Sequence, residues 1–148
     1  MEILPYFWIS TFSDSYLKLI KEKNIKVVIY LSKNNHFSKN ENIEQLRIPI
    51  EYNDNDSYEN INNIMYQQLY DITQFVHEKI NNNQKVLLIG IDDKQDIDTI
   101  VSAYYIRYGK LTLRDALLFL KSKKKNIFYP KCIFYPALNK FYQYINKE

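Results

Sequence analysis

A short turn rich in carboxylates follows the most apolar segment of the chain. Residues 85–91 read KVLLIGI, a continuous apolar run that is typical of a buried parallel strand. The turn over residues 92–98 then holds four aspartates and one lysine. Carboxylates in such a turn can bind magnesium, serve as a general acid or base, or stabilise a helix N-terminus through its dipole. The sequence favours the last role, with Asp96 and Asp98 at the start of a helix.

Two alternatives for the turn are a metal site and an anion site. Asp92, Asp93 and Asp96 are oxygen ligands of the kind that magnesium prefers, although their spacing gives a weak signal. A strand that enters a helix through a tight turn also commonly binds anions, because backbone N–H groups and the helix dipole point at the ligand. Four aspartates would repel a phosphate from this turn. We therefore expect neither a metal nor a cofactor.

Other residue types that bind metals or act as nucleophiles are few. The chain has one cysteine, Cys132, and two histidines, His36 and His77. A single cysteine excludes an internal disulfide and fits a reducing compartment. These three scattered residues do not make the usual tetrahedral zinc set.

Length and composition describe one globular domain over residues 1–148. Hydrophobic residues make up 46% and charged residues 25%, which excludes a disordered or fibrous chain. The net charge of +3 is too small to indicate a nucleic-acid partner. Apolar runs such as residues 86–91 are far shorter than a membrane span, and the first residues lack the basic flank of a signal peptide. We expect a cytoplasmic protein without membrane contact.

Strand and helix patterns alternate along the chain, which predicts an α/β domain with a twisted, mostly parallel central sheet flanked by helices. The strands are predicted over residues 4–9, 26–31, 45–50 and 85–91. The helices are predicted over residues 13–23, 61–80 and 96–108, from residue 112, and over residues 135–145. In such folds, ligands bind at the carboxyl ends of the strands. The basic run over residues 121–125 is interpreted as the solvated end of a helix.

The chain resembles the dual-specificity protein phosphatases, a cysteine-dependent family that acts on phosphorylated tyrosine, serine and threonine. The resemblance covers nearly the whole chain and includes the predicted fold. Its segments are residues 3–10 (ILPYFWIS), 19–32 (LIKEKNIKVVIYLS), 48–50 (IPI), 86–106 and 112–121. Within residues 86–106 the family pattern aligns without a gap.

The residues that carry the family's chemistry are replaced in this chain. The nucleophilic cysteine of the pattern falls on Gly90 and the preceding histidine on Ile89. The loop glycine falls on Asp93, the phosphate-binding arginine on Asp96, and the following serine or threonine on Ile97. Hydrolysis in this family needs a thiolate and a bidentate guanidinium. The resemblance therefore implies a chain that is not an enzyme and a loop without catalytic residues.

The general acid of the family pattern has no clear counterpart. The aspartate that follows the Ile-Pro strand falls on Tyr52. Asp54 or Asp56 takes its place if the loop is longer in this chain. A general acid would have no leaving group to protonate without a nucleophile.

The resulting prediction is a pseudophosphatase that acts through protein–protein interaction, as a scaffold, decoy or regulator of phosphosignalling. We hypothesise that Asp96 and Asp98 take the electrostatic position of a substrate phosphate. Alternatives are a metal-assisted hydrolase that uses the aspartate-rich turn and a phosphopeptide-binding module. The expected partner is a protein, with a homodimer as one option. Abundant Ile, Lys, Asn and Tyr, whose codons are AT-rich, indicate an AT-rich genome such as that of a large DNA virus, for example a poxvirus.

Overall fold

The computed structural model describes residues 1–34, 37, 39, 42–50, 52–53, 55–92, 94–129 and 131–147. Three candidate residues, His36, Asp54 and Asp93, lie outside this described part. Five strands and five helices form in the described chain. In chain order they are β1 (Glu2–Leu4), β2 (Phe7–Thr11), α1 (Tyr16–Glu22), β3 (Val27–Tyr30), β4 (Glu44–Arg47), α2 (Tyr58–Asn81), β5 (Val86–Gly90), α3 (Asp96–Tyr108), α4 (Leu113–Lys123) and α5 (Tyr135–Asn146).

Contacts divide the chain into two compact units. The first unit comprises Met1–Ile50 and Phe75–Ile97, and the second comprises Glu51–Gln74 and Asp98–Glu148. The first unit holds the sheet, α1, the end of α2 and the start of α3. The second holds the rest of α2 and α3 together with α4 and α5. A single domain over residues 1–148 stays a prediction.

The first unit is built on a five-stranded sheet in the order β1-β2-β5-β3-β4. β1 pairs antiparallel with β2, and the other neighbouring strands are parallel. Every residue of β5 is buried, as its continuous apolar run predicts. These features confirm the predicted α/β class. Because parallel strands end at the same edge, the residues after β2 and β5 share the carboxyl edge, and those before β3, β4 and β5 share the amino edge.

An apolar cluster holds α1 against the sheet. Its buried members are Ile20, Ile25, Val28, Tyr30, Leu87 and Ile89. Each large aliphatic side chain that is fully buried stabilises the fold by about 1.5–3 kcal/mol. The phenol of Tyr30 donates a hydrogen bond to Gln45 Oε1 at 2.8 Å, so its buried hydroxyl has a partner. This packing holds α1 against β3 and β5.

The second unit is made of helices, and Asn62 joins two of them. Asn62 Oδ1 accepts the backbone N–H of Ala137 at 2.9 Å. Its Nδ2 group donates to the carbonyl oxygens of Ile133 and Tyr58, each at 3.0 Å. The side chain is 5% exposed and all of these bonds lie within one unit. Asn62 therefore anchors the start of α5 to the start of α2.

Two predicted strands are shorter than expected. The run over residues 4–9 contains a turn, in which Tyr6 has φ 72° and separates β1 from β2. A positive φ interrupts extended backbone. The strand predicted over residues 45–50 is β4, which ends at Arg47. Pro49 explains the early end, because proline has no N–H and restricts the residue before it.

Helix starts follow capping side chains. The hydroxyl of Ser57 accepts the N–H of Asn60 at 3.0 Å, so α2 begins at Tyr58 rather than at residue 61. The hydroxyl of Thr112 accepts the N–H of Asp115 at 3.1 Å, which confirms the predicted cap of α4. Among the described residues, no helix is both long and apolar enough to cross a membrane.

Candidate functional site

The turn after β5 lies beside the end of β2. Thr11 faces Gly90 in the parallel register, and the N–H of Phe12 donates to the Gly90 carbonyl oxygen at 3.1 Å. On the other side of β5, the N–H of Leu31 donates to the carbonyl oxygen of Ile89 at 2.8 Å. Ile89 is fully buried. The position that the family pattern gives to the nucleophile is therefore held rigidly at the carboxyl edge of the sheet.

The space for a side chain at residue 90 is filled by Ile97. A Cβ atom on Gly90 would lie 2.6 Å from Ile97 Cγ1 and 2.7 Å from Ile97 Cδ1, and 3.8 Å from Leu31 Cδ1. Carbon atoms cannot approach so closely without a shift of the neighbour. Ile97 is 4% exposed, and the φ angle of Gly90 is not positive. A side chain at residue 90 would therefore require Ile97 to move, whereas the backbone conformation there does not require glycine.

Asp92 is an exposed carboxylate held by two hydroxyl groups. Hydrogen bonds from Ser13 and from Thr11 keep the pKa of Asp92 below its ordinary value. Asp92 shares the single hydroxyl proton of Thr11 with Asp14, whose Oδ2 atom lies 3.1 Å from Thr11 Oγ1, and Thr11 Oγ1 lies 3.2 Å from Ser13 Oγ. Asp92 is therefore ionised at neutral pH, and a second carboxylate stands beside it. The carboxyl edge of the sheet is negatively charged here.

Asp96 is the first residue of α3, as the sequence predicts, and it is 5% exposed. Its carboxylate belongs to the first turn, where the helix dipole favours a negative charge. Aspartate at this place cannot donate to phosphate oxygens as the arginine of the family pattern would. The turn therefore offers a phosphate no guanidinium at residue 96.

Asp98 forms an ion pair in the second unit. Its Oδ1 atom lies 2.6 Å from Nζ of Lys124, and the two side chains are 7% and 31% exposed. Lys124 belongs to the basic run that was interpreted as solvated, and this interpretation is wrong for that residue. The pair gives Asp98 a resident cation, so its buried charge is compensated inside the fold.

Cys132 does not carry a reactive thiolate. Burial raises the pKa of its thiol to about 11, and the negative charge of Asp98 adds to the effect. A backbone hydrogen bond from Phe134 acts in the opposite direction. The thiol is protonated at neutral pH and is therefore a poor nucleophile.

Of the two general-acid candidates, Asp54 lies outside the described residues and Asp56 stabilises its own turn. Asp56 Oδ2 accepts the N–H of Asn53 at 2.6 Å, and the Asp56 N–H donates to the Asn53 carbonyl at 2.9 Å. Tyr52, on which the family's acid falls, packs edge-to-face against Phe134 with ring centroids 5.6 Å apart. Asp56 therefore has a structural role in this turn.

In the part of the chain that the structure describes, no group of three His, Cys, Asp or Glu side chains could hold a metal ion. Asp93, one of the three proposed magnesium ligands, is outside that part. The remaining two, Asp92 and Asp96, give no described ligand cluster.

Sequence reasoning missed the hydroxyl groups of Thr11 and Ser13 and the lysine that pairs with Asp98. The first two follow β2, whose parallel pairing with β5 brings their carboxyl ends together. Strand order would have revealed them. Lys124 is 26 residues from Asp98, and no local pattern joins the two.

This geometry can be set beside known proteins. The family "Dual specificity phosphatase, catalytic domain" matches residues 7–144, and the chain belongs to this family. "Putative tyrosine phosphatase 123R" of Invertebrate iridescent virus 6 is 33% identical over 82 residues. That alignment covers 55% of this chain and 57% of the relative, so the chain spans little more than half of the relative's length.

Solved structures share the fold at low identity. Human DUSP28 has a TM-score of 0.77 at 13% identity, covering 97% of this chain and 96% of that one. DUSP15 has a TM-score of 0.75 at 23% identity, covering 95% and 85%. Human tyrosine phosphatase-like serine/threonine/tyrosine-interacting protein has a TM-score of 0.73 at 18% identity, covering 95% and 93%. These similarities confirm a dual-specificity-phosphatase-like fold.

The comparisons correct one expectation. The prediction that the chain is not an enzyme is contradicted, because the chain belongs to a catalytic-domain family whose related proteins are named phosphatases. These names point to a phosphatase. The prediction rested on the replacement of the family's nucleophile, arginine and neighbouring loop residues, and it gave these replacements more weight than membership of the family. What remains true is that Gly90 has no side chain, so an attacking group would have to come from another residue or from water.

Proposed function

We propose that this member of the dual-specificity phosphatase family serves phosphosignalling by binding a protein partner, as a scaffold, decoy or regulator. The observation that carries the proposal is the contact between Gly90 and Ile97, which fills the place of the family's nucleophile with an aliphatic side chain. Because Ile97 fills the place of the nucleophile, we infer that this fold serves recognition of a protein through its surface.

Charge at the carboxyl edge supports the same proposal. Asp92 is ionised and exposed, and Asp96 stands where the family pattern has arginine. We infer that Asp96 and Asp98 take the electrostatic place of a substrate phosphate, and that Lys124 is the cation that pairs with Asp98. A phosphorylated side chain would meet like charges here, which disfavours the phosphopeptide-binding alternative.

The second unit presents an exposed patch of the residue types that dominate protein interfaces. The guanidinium of Arg107 stacks on the ring of Tyr70 at 3.8 Å, and Tyr70 packs edge-to-face against Tyr144 at 6.0 Å. Nζ of Lys147 lies 4.6 Å from the Tyr144 ring centroid. Tyr70 and Tyr144 are 40% and 43% exposed. Tyrosine and arginine are enriched among interface hot spots, and we call these four residues the tyrosine–arginine patch.

One structural neighbour bears a name that agrees with a binding role. It is called a phosphatase-like serine/threonine/tyrosine-interacting protein. At 18% identity its likeness shows the fold alone, so its name adds only an example of the role proposed for this chain.

The proposal is tested by capture from the host cell with the full chain as bait. Tyr70→Ala with Tyr144→Ala removes the aromatic part of the patch. Tyr129→Ala with Tyr135→Ala is the matched control, because these tyrosines are also exposed. We expect one partner to be retained by the parent and the control and lost from the patch variant. Equal capture by both variants, or no partner at all, contradicts the proposal. Tagged and untagged copies in the same cell identify a homodimer.

Phosphatase activity is the second candidate function, and the names of the family and of the viral relative favour it. The assay is turnover of p-nitrophenyl phosphate with and without magnesium or manganese. Asp92→Asn removes the exposed carboxylate of the turn, and Asp115→Asn on α4 is the control. Turnover that depends on a metal and on Asp92 would support the metal-assisted alternative. If turnover depends neither on the metal nor on Asp92, another group must attack the phosphate.

A further inference from the structure

A groove at the amino edge of the sheet combines an apolar floor with a basic rim. It encloses about 470 Å³ beside α1 and before β3 and β4. Its apolar lining is Leu17, Ile20, Ile25 and Ile43, and its rim lysines are Lys21 and Lys26. We call this site the α1 groove. It lies entirely within the first unit.

The floor of the α1 groove is part of the core. Ile20 and Ile25 are 7% and 2% exposed, and both belong to the cluster that holds α1 on the sheet. Ile43 packs against the same cluster from before β4. Leu17, which also lines the groove, is 58% exposed. The side of the groove that Ile20 and Ile25 form is therefore fixed by the core. The exposed side chain of Leu17 forms an apolar wall that a ligand could cover.

Two described carboxylates close to the groove along the chain are paired with other lysines. Glu22 lies 3.8 Å from Nζ of Lys18, one turn away on α1. Glu44 lies 2.7 Å from Nζ of Lys79. Within the described residues, neither rim lysine has a carboxylate partner. The positive charge of the rim is therefore available to a ligand.

We propose that the α1 groove binds a protein segment in which acidic side chains flank a large aliphatic or aromatic one. The apolar side chain packs against the accessible surface of Leu17 and Ile43, and the carboxylates pair with Lys21 and Lys26. Charge complementarity selects an acidic segment, and the apolar floor selects one with a bulky side chain. This proposal rests on the proposed function and names the chemistry of the partner.

The test selects peptides from a random dodecapeptide phage library on the immobilised full chain. Selected peptides are synthesised with a fluorescent label and titrated against three charge or apolar variants. Lys21→Glu with Lys26→Glu reverses the rim. Lys121→Glu with Lys125→Glu makes the same change in net charge at exposed residues of the second unit. Leu17→Ala shortens the apolar wall.

We expect selected peptides to combine glutamate or aspartate with a large apolar residue. Reversal of the rim should raise the Kd about tenfold or more, since two charge pairs are lost and two repulsions gained. The control, Lys121→Glu with Lys125→Glu, should change the Kd less than about twofold. High salt should weaken only the contribution of the charge pairs to binding. Leu17→Ala should weaken binding about fivefold at every salt concentration. Circular dichroism checks that each variant is folded.

Three results would overturn the inference: no enriched peptides, peptides without acidic residues, or equal weakening by the rim and control variants. Binding to phosphatidylserine vesicles that is stronger than binding to any selected peptide would also overturn it. If the host partner is captured equally by the parent and by the rim variant, the groove inference fails while the proposed function stands. If peptides bind as expected but no host partner is found, the proposed function fails instead.

Discussion

The two edges of the sheet in the first unit present different charged side chains around their candidate sites. At the carboxyl edge, the carboxylates of Asp14 and Asp92 accept hydrogen bonds from the hydroxyl groups of Thr11 and Ser13. At the amino edge, Lys21 and Lys26 border an apolar groove. The family pattern places its phosphate-binding arginine in the turn at the carboxyl edge. The site that we propose for an acidic segment therefore lies at the opposite edge from the turn that binds phosphate in the family pattern.

The largest effect should come from removing Lys124, whose charge compensates the buried carboxylate of Asp98. Lys124→Met should lower the free energy of unfolding by about 3 kcal/mol, because Asp98 is left buried without a partner. Urea denaturation measures it. Asp98→Asn combined with Lys124→Met should recover most of the loss, since no charge remains. Lys125→Met, an exposed neighbour, is the control and should be nearly neutral. A small effect of Lys124→Met would show that water compensates Asp98.

The next largest effect should come from adding a side chain at residue 90, where Ile97 fills the available space. Gly90→Ala should cost about 1–3 kcal/mol in unfolding free energy, because the new methyl group meets Ile97. Combined with Ile97→Ala, the loss should be smaller than the sum of the two single losses by about 1–2 kcal/mol. Urea denaturation of the four chains of this cycle gives the coupling. Strict additivity would mean that Ile97 moves away at no cost.

The smallest effect concerns the hydroxyl groups around Asp92. Ser13→Ala should raise the pKa of Asp92 toward its ordinary value of 3.8, because the donor that contributes most is lost. A carboxyl whose pKa is lowered by folding adds stability above its unfolded pKa, and the gain is lost as pH falls through the folded pKa. The variant should therefore lose less stability on acidification below about pH 4.

A carboxyl-detected NMR titration follows the pKa of Asp92 directly. Ser15→Ala is the matched control, because the Ser15 side chain makes no capping hydrogen bond to α1. An unchanged Asp92 pKa in Ser13→Ala would assign its shift to another donor.

Much of the fold could be predicted because its signals are local. β5 is recognisable from its continuous apolar run, and the cap of α4 from Thr112. The division between β1 and β2 was missed because it depends on the backbone of Tyr6, a residue type that favours strands. Proline at residue 49 carried enough information to shorten β4, since it cannot continue a hydrogen-bonded ladder.

The elements that carry the candidate residues were predictable, whereas the contacts of those residues were not. The sequence placed Gly90 on β5 and Asp96 at the start of α3, as the structure has them, and the roles that the family pattern gives these residues stay predictions. It could not show that Ile97 fills the space at Gly90, because that contact depends on the path of the turn. The α1 groove was also missed, because its lining comes from three separate segments of the chain.

The contact between Gly90 and Ile97 also limits the order in which mutations can accumulate. A side chain at residue 90 requires the side chain of Ile97 to move. A lineage that gains a side chain at residue 90 should therefore retain more stability if residue 97 becomes smaller first, or if both change together. The two positions form an epistatic pair, and libraries that vary them jointly should yield more stable proteins along the path that shrinks residue 97 first than along the other path.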